Sequence, residues 1–447
     1  MYKTLSAPLV VQIEIESACQ NSCIHCYNFW RQDSINNSDK SRLSVKEIKT
    51  IIHKLAKAKV FEIVFTGGEP LLNKSSLFYG MELAQKLGIG VSLNSNLISL
   101  TKKDVIFLEE LGVDSVLTSI MGPSADIHDS IASRNGSFND TLRGIKHLKE
   151  KGFAPVVNIV ISKKNKDYVK DTINFLASLG IKHITSTRAG CPGNCSDFSE
   201  MSLSFKEFQK YLDDLYVAGQ EAGVSVGVLE SYPYCGMKYL LRYQQFLNRR
   251  CSAGITTITV GSNGSVRPCS HLDIQYGNLL KEDLDKIWSR MKKWRDGSMI
   301  PLECKNCKLF YFCGSGCRME AKMRGGALNA MDPYSCPDDI DIVLQQFYKL
   351  PKKENKIISS FSLSKKIRWR KEKFGSAVFL AHNFKVFLNK KATDFLNKLD
   401  SEKNYTIEEI IKWGDYSSKE LQVFLSKLAD KKIILERPRK TMGGEEK

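Results

Sequence analysis

The sequence predicts an α/β fold of parallel strands joined by crossover helices, followed by a small metal-dependent segment and a winged-helix-like α+β unit. Three observations predict it. Short apolar runs alternate with helix-period stretches from residue 9 to about 230. Cysteines then crowd the chain to about residue 340, and the last fifth switches to hairpin and helix patterns.

Val10–Glu16, Phe61–Phe65, Gly90–Leu93, Ser115–Ser119, Val156–Ser162 and Ile184–Thr187 read as strands. Between them Val45–Lys57, Tyr168–Leu179 and Phe205–Ala218 carry helical periodicity. Ser44–Glu47 and Ser204–Glu207 have the S-x-x-E form of a capping box, in which each end satisfies the other's backbone N–H. Alternation of this kind implies parallel strands, in an open sheet or part of a β/α barrel. Six or so units fall short of the eight in a closed barrel.

Residues 1–230 are therefore assigned to the strand–helix domain. Residues 231–349, dense in Cys with Gly, Pro and Asn punctuation, cannot bury enough apolar surface alone and are expected to fold around metal. Leu350–Lys356 reads as a linker. Residues 355–440 form a third unit, with strands at Phe361–Leu363, Ala377–Leu380 and Lys385–Leu388 and a hairpin tip at His382–Asn383. Helices follow at Lys390–Leu399, Thr406–Trp413 and Ser417–Lys431, then a closing strand at Ile433–Leu435. Leu421, Phe424, Leu425 and Leu428 fall on one face of the last helix.

Hydrophobic residues make up 42% and charged residues 26%, which excludes a disordered or collagen-like chain. No apolar run approaches the ~18 residues of a membrane span. The start alternates apolar and acidic residues like a strand, unlike a signal peptide, so a cytoplasmic protein without membrane association is expected. The net charge is +17, and residues 351–447 hold 23 basic against 13 acidic residues. A basic tail suits an acidic partner, either a peptide or nucleic acid. Scattered lysines on a solvated face are the plainer reading.

The thirteen cysteines are clustered, which in a reducing compartment points to metal or catalysis. Cys19, Cys23 and Cys26 follow the first strand on a loop at its carboxyl end. A tetrahedral zinc site would need a fourth ligand, and His25, next to Cys26, would struggle to point at the same ion. Three thiolates suit a [4Fe–4S] cluster with one iron open, since such clusters normally take four.

CQNSCIHCY (Cys19–Tyr27) resembles the C-x3-C-x-φ-C signature of the radical S-adenosylmethionine (SAM) superfamily, with His25 at the aromatic position. TGGEP (Thr66–Pro70), closing the second strand, is similar to that family's SAM-binding GGEP motif. The resemblance implies a partial (β/α)6 TIM-like barrel. It places SAM contacts at Tyr27, Thr66, Gly67, Gly68, Glu69, Asn96, Ser119 and Arg188, with Glu69 accepting from the methionine ammonium. It also implies the reaction: a reduced cluster splits SAM homolytically, and the 5′-deoxyadenosyl radical removes hydrogen from an unactivated C–H bond.

Cys251-x12-Gly264-x4-Cys269, then Cys304-x2-Cys307-x5-Cys313-x3-Cys317, then Cys336 resembles the SPASM domain, which holds two auxiliary [4Fe–4S] clusters. With the SAM-binding cluster that makes three. The resemblance implies an outer cluster on Cys304, Cys307, Cys313 and Cys336 and an inner one on Cys251, Cys269 and Cys317. Its fourth inner ligand is assigned to Cys235; without it one inner iron stays open. Two zinc sites are the alternative that spacing alone permits. Auxiliary clusters accept the electron discarded when a substrate radical forms a new bond, which favours net two-electron oxidation.

The tail resembles the peptide-recognition element of ribosomally made, post-translationally modified peptides (RiPPs), which is PqqD-like and takes a leader peptide as an added strand. An inert or DNA-binding winged helix is the alternative, and fusion to an enzyme disfavours DNA. Together the resemblances imply a RiPP maturase forming a thioether or carbon–carbon cross-link, with electrons from a flavodoxin- or ferredoxin-type reductant. A peptide epimerase and a sulfatase-maturing, formylglycine-forming enzyme are the enzymatic alternatives. A non-enzymatic iron–sulfur electron carrier is a third class. Cys191 and Cys195 are candidate hydrogen donors, a redox pair, alternative inner ligands or inert loop thiols. Sulfatase maturases place an Asp base directly after the cysteine matching Cys269; here Ser270 and His271 follow, leaving Asp273 as the candidate base.

Overall fold

A computed structural model describes residues 3–28, 41–191, 198–247, 249–351, 355–365, 367–380, 384–414 and 417–436. The chain divides into two compact units, Met1–Leu350 and Pro351–Lys447.

In the first unit seven parallel strands alternate with helices. They are β1 (Val10–Glu16), β2 (Glu62–Gly67), β3 (Gly90–Asn94), β4 (Ser115–Ser119), β5 (Val156–Ile161), β6 (His183–Arg188) and β7 (Ser225–Val228). The crossovers carry α1 (Val45–Lys57), α2 (Lys74–Lys86), α3 (Lys102–Glu110), α4 (Ala125–Ala132), α5 (Ser137–Glu150), α6 (Val169–Ser178) and α7 (Phe205–Glu221). Both expected capping boxes form, and Thr101–Asp104 makes a third at the start of α3. Ile48, Ile51, Ile52 and Leu55 of α1 are fully buried at the i, i+3, i+4, i+7 spacing that faces a sheet.

The seventh strand was not expected from sequence: four residues, SVGV, are too few for a period to register. The cysteine-dense segment contributes more to this sheet. It supplies β8 (Thr257–Val260), β9 (Ser265–Arg267) and β10 (Gly277–Asn278). β8 pairs parallel with β1, so the order is β10-β9-β8-β1-β2-β3-β4-β5-β6-β7. β10 and β7 end this order, and the sheet is a partial barrel extended on its β1 side. The segment continues through α8 (Leu284–Arg290), α9 (Phe310–Cys313), α10 (Arg318–Gly325) and α11 (Ile340–Tyr348).

Two three-stranded antiparallel sheets make up the second unit, built from β11 (Ser360–Leu363), β12 (Arg368–Glu372), β13 (Gly375–Leu380), β14 (Phe384–Asn389), β15 (Asn404–Thr406) and β16 (Ile434–Glu436). Their orders are β15-β11-β16 and β12-β13-β14. With α12 (Lys390–Asn397), α13 (Ile407–Ile411) and α14 (Ser418–Asp430) they enclose Phe361, Val378, Phe395, Ile410, Leu421, Leu425 and Leu428. Strand β12, RWRKE, escaped the sequence reading because its buried residues are charged. Arg370 and Glu372 face inward and pair at 2.8 Å. The expected tip His382–Asn383 lies outside the described residues. Among the described residues no helix is long and apolar enough to cross a membrane.

Candidate active site

The carboxyl ends of the barrel strands surround a cleft of about 350 Å³. Ligands gather at this end of α/β sheets, where the loops are free to diverge. Cys19, Cys23 and Cys26 line it together with Tyr27, Thr66, Gly67, Gly68, Asn96, Ser119 and Arg188. Ten of the residues singled out in sequence thus share one cleft. Their loop is held from below: Ser22 and Ile24 donate backbone hydrogen bonds to Ala132 and Ile131 at the end of α4 (both 3.0 Å).

Gly67 and Gly68, expected as SAM contacts, also serve the protein's own backbone. A Cβ on Gly68 would stand 2.1 Å from the Ala18 carbonyl oxygen, and one on Gly67, at φ 142°, would stand 2.3 Å from that of Glu16. They let β2 cross against the root of the cysteine loop, where Gly68 N donates to Glu16 O and Glu69 N to Ala18 O (2.6 and 2.8 Å). Glu69 is fully buried and does not line the cleft. Its carboxylate accepts from Leu71 N (3.0 Å), Ser95 Oγ (2.7 Å) and Asn96 N (2.8 Å), which ties the end of β2 to that of β3. The expected ammonium acceptor is thereby engaged by the protein, and it sets the position of Asn96. Asn96 Nδ2 in turn reaches Cys19 Sγ at 3.5 Å.

Sequence reasoning missed two supports of this site. Asn28 donates to Gly67 O (2.7 Å), and His128 anchors a chain of buried hydrogen bonds. His128 Nδ1 accepts from Met121 N (3.1 Å), so Nε2 carries the proton and faces Ser137 Oγ (3.1 Å), which meets Asn21 beside the cysteines. Burial pushes His128 down to about 4, opposed by Asp129. The folded pKa is below the unfolded ~6.5, so this contribution is present at neutral pH and lost as pH falls through about 4. His128→Gln is expected to flatten the acid limb of stability by up to ~3 kcal/mol, checked by denaturant titrations at neutral and acid pH.

The cleft also offers polar atoms with no protein partner. His25 Nδ1, Asn28 Oδ1 and Thr118 Oγ1 are buried, line it and make no hydrogen bond. Each such atom costs ~1–3 kcal/mol unless a ligand satisfies it. Three thiols and three unsatisfied polar atoms in one cleft fit a cluster and a polar cofactor.

The cysteine-dense segment closes one wall. His271 stacks on Tyr27 with ring centroids 4.3 Å apart, and it lines the cleft with Ser270. Arg267 of β9 pairs with the buried Glu14 of β1 at 2.5 Å. Burial raises Glu14 to about 7 despite Arg267. At the far wall Arg188, 2% exposed, reaches Asp332 (3.1 Å) and Glu230 (3.3 Å) beneath the ring of Tyr334. Asp332 also accepts from Cys317 N (2.7 Å), joining the end of β6 to the second cysteine field. Arg188 therefore couples barrel to cysteine segment while bordering the cleft.

The second field separates into two groups. Cys251 stands near enough to both Cys269 and Cys317 to add to the upward push that burial gives their thiols. Cys304, Cys307 and Cys313 line a separate hollow, and Cys235 lines it with them. The structure thus places Cys235 away from the inner trio to which the sequence reading assigned it. The reason is local: its turn packs on the Tyr334–Cys336 backbone, so closely that a Cβ on Gly236 would lie 1.9 Å from Tyr334 O. Among the described residues no three His, Cys, Asp or Glu side chains converge on a single ion's position. Burial holds Cys235 and Cys304 up at about 12 and Cys269 at about 11, so metal binding must release protons.

Cys191 is buried against Phe198 and Met201, its N–H bonded to Glu320, and does not line the cleft. Cys195 lies outside the described residues. Asp273 is exposed, paired with Lys322 at 2.6 Å and away from the cleft, so the candidate base of the formylglycine reading is displaced by Ser270 and His271.

Residues 13–176 match the Radical SAM superfamily, and residues 251–308 match SPASM, an iron-sulfur cluster-binding domain. The chain carries a radical SAM domain and a SPASM domain. The AdoMet-dependent heme synthase of Oleidesulfovibrio alaskensis is 24% identical, covering 72% of this chain and 85% of its own length. The mycofactocin maturase MftC of Mycolicibacterium smegmatis is 25% identical, covering 74% and 83%. Among solved structures, native anSMEcpe with bound AdoMet matches at TM-score 0.62 and 20% identity, covering 76% of this chain and 98% of that one. Streptococcus suis SuiB bound to precursor peptide SuiA matches at TM-score 0.57 and 16% identity, covering 74% and 76%. The likenesses establish the radical SAM fold. The radical SAM domain brings SAM and a [4Fe–4S] cluster, and the SPASM domain brings auxiliary clusters. In these terms, the Tyr27–His271 stack is where the two matched regions meet at the cleft.

Proposed function

We propose that this chain is a RiPP maturase that oxidises a ribosomally made precursor peptide by two electrons, forming a thioether or carbon–carbon cross-link. The observation that carries this reading is the shared cleft: the cysteine triplet, unsatisfied polar atoms and a wall from the SPASM domain converge on it. Bound SAM and its reduced cluster supply hydrogen-atom abstraction from unactivated C–H bonds. Cys19, Cys23 and Cys26 hold that cluster. Tyr27, Thr66, Gly67, Gly68, Asn96, Ser119 and Arg188 border SAM, and Glu69 fixes the Asn96 backbone beside it. The Tyr27–His271 stack forms one side of the cleft. Cys251, Cys269 and Cys317 would hold one auxiliary cluster, and Cys304, Cys307 and Cys313 with a further thiol a second; such clusters would supply an acceptor for one electron. A flavodoxin- or ferredoxin-type protein supplies electrons to the first cluster.

The likeness to a mycofactocin maturase supports a peptide substrate. The second compact unit is read as a PqqD-like winged-helix element that binds the leader. Its outer strands β12 and β14 each pair on one side only among the described residues, as strand addition requires. The tail's positive charge suits an acidic leader. The likeness to a heme synthase favours a second reading, a heme precursor as substrate, in which the tail unit has no evident use.

Anaerobic reaction with the precursor peptide is expected to lower its mass by two hydrogens. Removing residues 351–447 should spare SAM cleavage and weaken peptide binding by at least ~10-fold, read by titration calorimetry. An unchanged peptide together with turnover of a heme precursor would replace this proposal by the second reading.

A further inference from the structure

The oxidation proposed above has a proton to place. Removing two hydrogens from a peptide breaks one C–H bond by transfer of a hydrogen atom to the 5′-deoxyadenosyl radical. When the new bond forms, an S–H or a second C–H bond breaks as well, and its hydrogen leaves as one electron and one proton. The electron passes to an oxidised auxiliary cluster. The proton needs a base within reach of the cleft.

Glu230 is the one carboxylate that lines the cleft among the described residues. It follows β7 by two residues, so it stands at the carboxyl end of the sheet. Its side chain is 13% exposed, and its carboxylate accepts from Arg188 N at 2.8 Å with Arg188 Nε 3.3 Å away. The Tyr232 hydroxyl also donates to it. These bonds hold Glu230 against a residue assigned above to the border of SAM.

The surroundings carry more acid than base. Arg188 faces Asp332, Glu230 and Glu320, and Arg324 offsets Glu320 in part, so two guanidiniums meet three largely buried acids. Tyr211 of α7 and Cys317 just before α10 also face Glu230 and add no positive charge. A surplus of buried acid is relieved by a proton. Asp332 is committed to Arg188 Nη2 and Cys317 N, and Glu320 to Cys191 N (3.0 Å); neither lines the cleft. Glu230 is the member of the trio from which a proton can be exchanged with a bound peptide. Burial raises it to about 7, opposed by Arg188, which suits a base working near neutral pH.

We propose that Glu230 accepts the proton that leaves the peptide when the new bond forms. The proposal rests on the maturase reading, and it supplies the acceptor that Asp273, exposed and away from the cleft, does not.

The test uses the reconstituted full chain and the same precursor peptide whose loss of two hydrogens checks the maturase reading. Glu230→Gln keeps an oxygen to meet Arg188 N and removes the base. Cross-linked product per 5′-deoxyadenosine formed is expected to fall ~100-fold. In the unmutated enzyme that ratio should rise as pH passes through about 7 and Glu230 loses its proton, and the rise should vanish in the variant. A ratio unchanged in Glu230→Gln, or a rise that His271→Gln abolishes and Glu230→Gln keeps, overturns the proposal.

Thermal unfolding gives a readout without turnover. The folded value of about 7 lies above the ordinary 4.5, so the contribution of Glu230 to stability is full below about 4.5 and lost as pH rises through about 7. Glutamine mimics the protonated acid. The two proteins should therefore unfold together near pH ~5, and the unmutated one roughly 3 °C lower near ~8. Equal Tm values at both pH values would show that Glu230 does not titrate in this range and reject it as the acceptor. The two failures are distinct. A peptide that keeps both hydrogens with the unmutated enzyme rejects the maturase reading and this proposal together, whereas a peptide that loses them equally with Glu230→Gln rejects the proton acceptor alone.

Discussion

Cys23→Ala should abolish reductive cleavage of SAM, measured as 5′-deoxyadenosine formed under dithionite. The loss should exceed the ~10–100-fold that follows removal of a second-layer partner of a metal site. Cys23 is the middle member of the triplet, and its carbonyl accepts from Cys26 N at 3.0 Å, closing the turn that aims two of the three thiols. Two thiolates cannot hold a cubane that normally takes four and here has three. The loop itself should survive, because its anchors are the backbone bonds from Ser22 and Ile24 to α4 and those from β2 to its root. The variant is therefore expected to fold normally by circular dichroism, to keep the auxiliary clusters, and to lose only the iron of the first site. Retained cleavage in a folded variant would remove the basis of the proposed function.

Arg188→Met should be the most destabilising single change in the barrel. Arg188 is buried among Asp332, Glu230 and Glu320, with the Tyr334 ring 4.2 Å away. Removing the cation leaves buried carboxylates without compensation, at a cost of ~3–5 kcal/mol, or about 5–10 °C in Tm by differential scanning fluorimetry of reconstituted protein. Lysine should not rescue it, since it lacks the fork that meets Asp332 and Glu230 together and the flat face that stacks on Tyr334. The effect depends on pH with a definite sign. Burial raises Glu230 to about 7, above its ordinary 4.5, although Arg188 pulls it down. The folded state holds that proton more tightly than the unfolded one. The contribution is full below about 4.5 and is lost as pH rises through about 7. Without Arg188 the carboxyl rises further, so the deficit should be larger near pH ~8 than near ~6. A deficit independent of pH would assign the loss to packing alone.

The parts of this protein legible in its sequence are those with a local cause. Capping boxes at Ser44 and Ser204 formed because the two residues that close each box are three apart on the chain. The first six strands were legible from their runs of apolar and β-branched residues, and the cysteine triplet from its spacing. Two elements carried no such signal. β7 is too short, and β12 hides a buried Arg370–Glu372 pair behind what reads as a solvated charge run.

The sequence by itself determined which residues of the first seven strands gather at the mouth of the sheet, because β1 to β7 lie side by side in chain order and their carboxyl-end loops open on one cleft. Only the tertiary structure decided what those residues do there. It made Glu69 a tie between two strands as well as an expected ligand group, and Gly68 clearance for the Ala18 carbonyl. It brought Cys269 and its neighbour His271 to Tyr27 by pairing β8 with β1, and it moved Cys235 to the outer hollow. The physical reason is the same in each case. Hydrogen-bond saturation, steric clearance and thiol grouping depend on backbones that meet from distant parts of the chain, and spacing along one segment carries no record of such meetings.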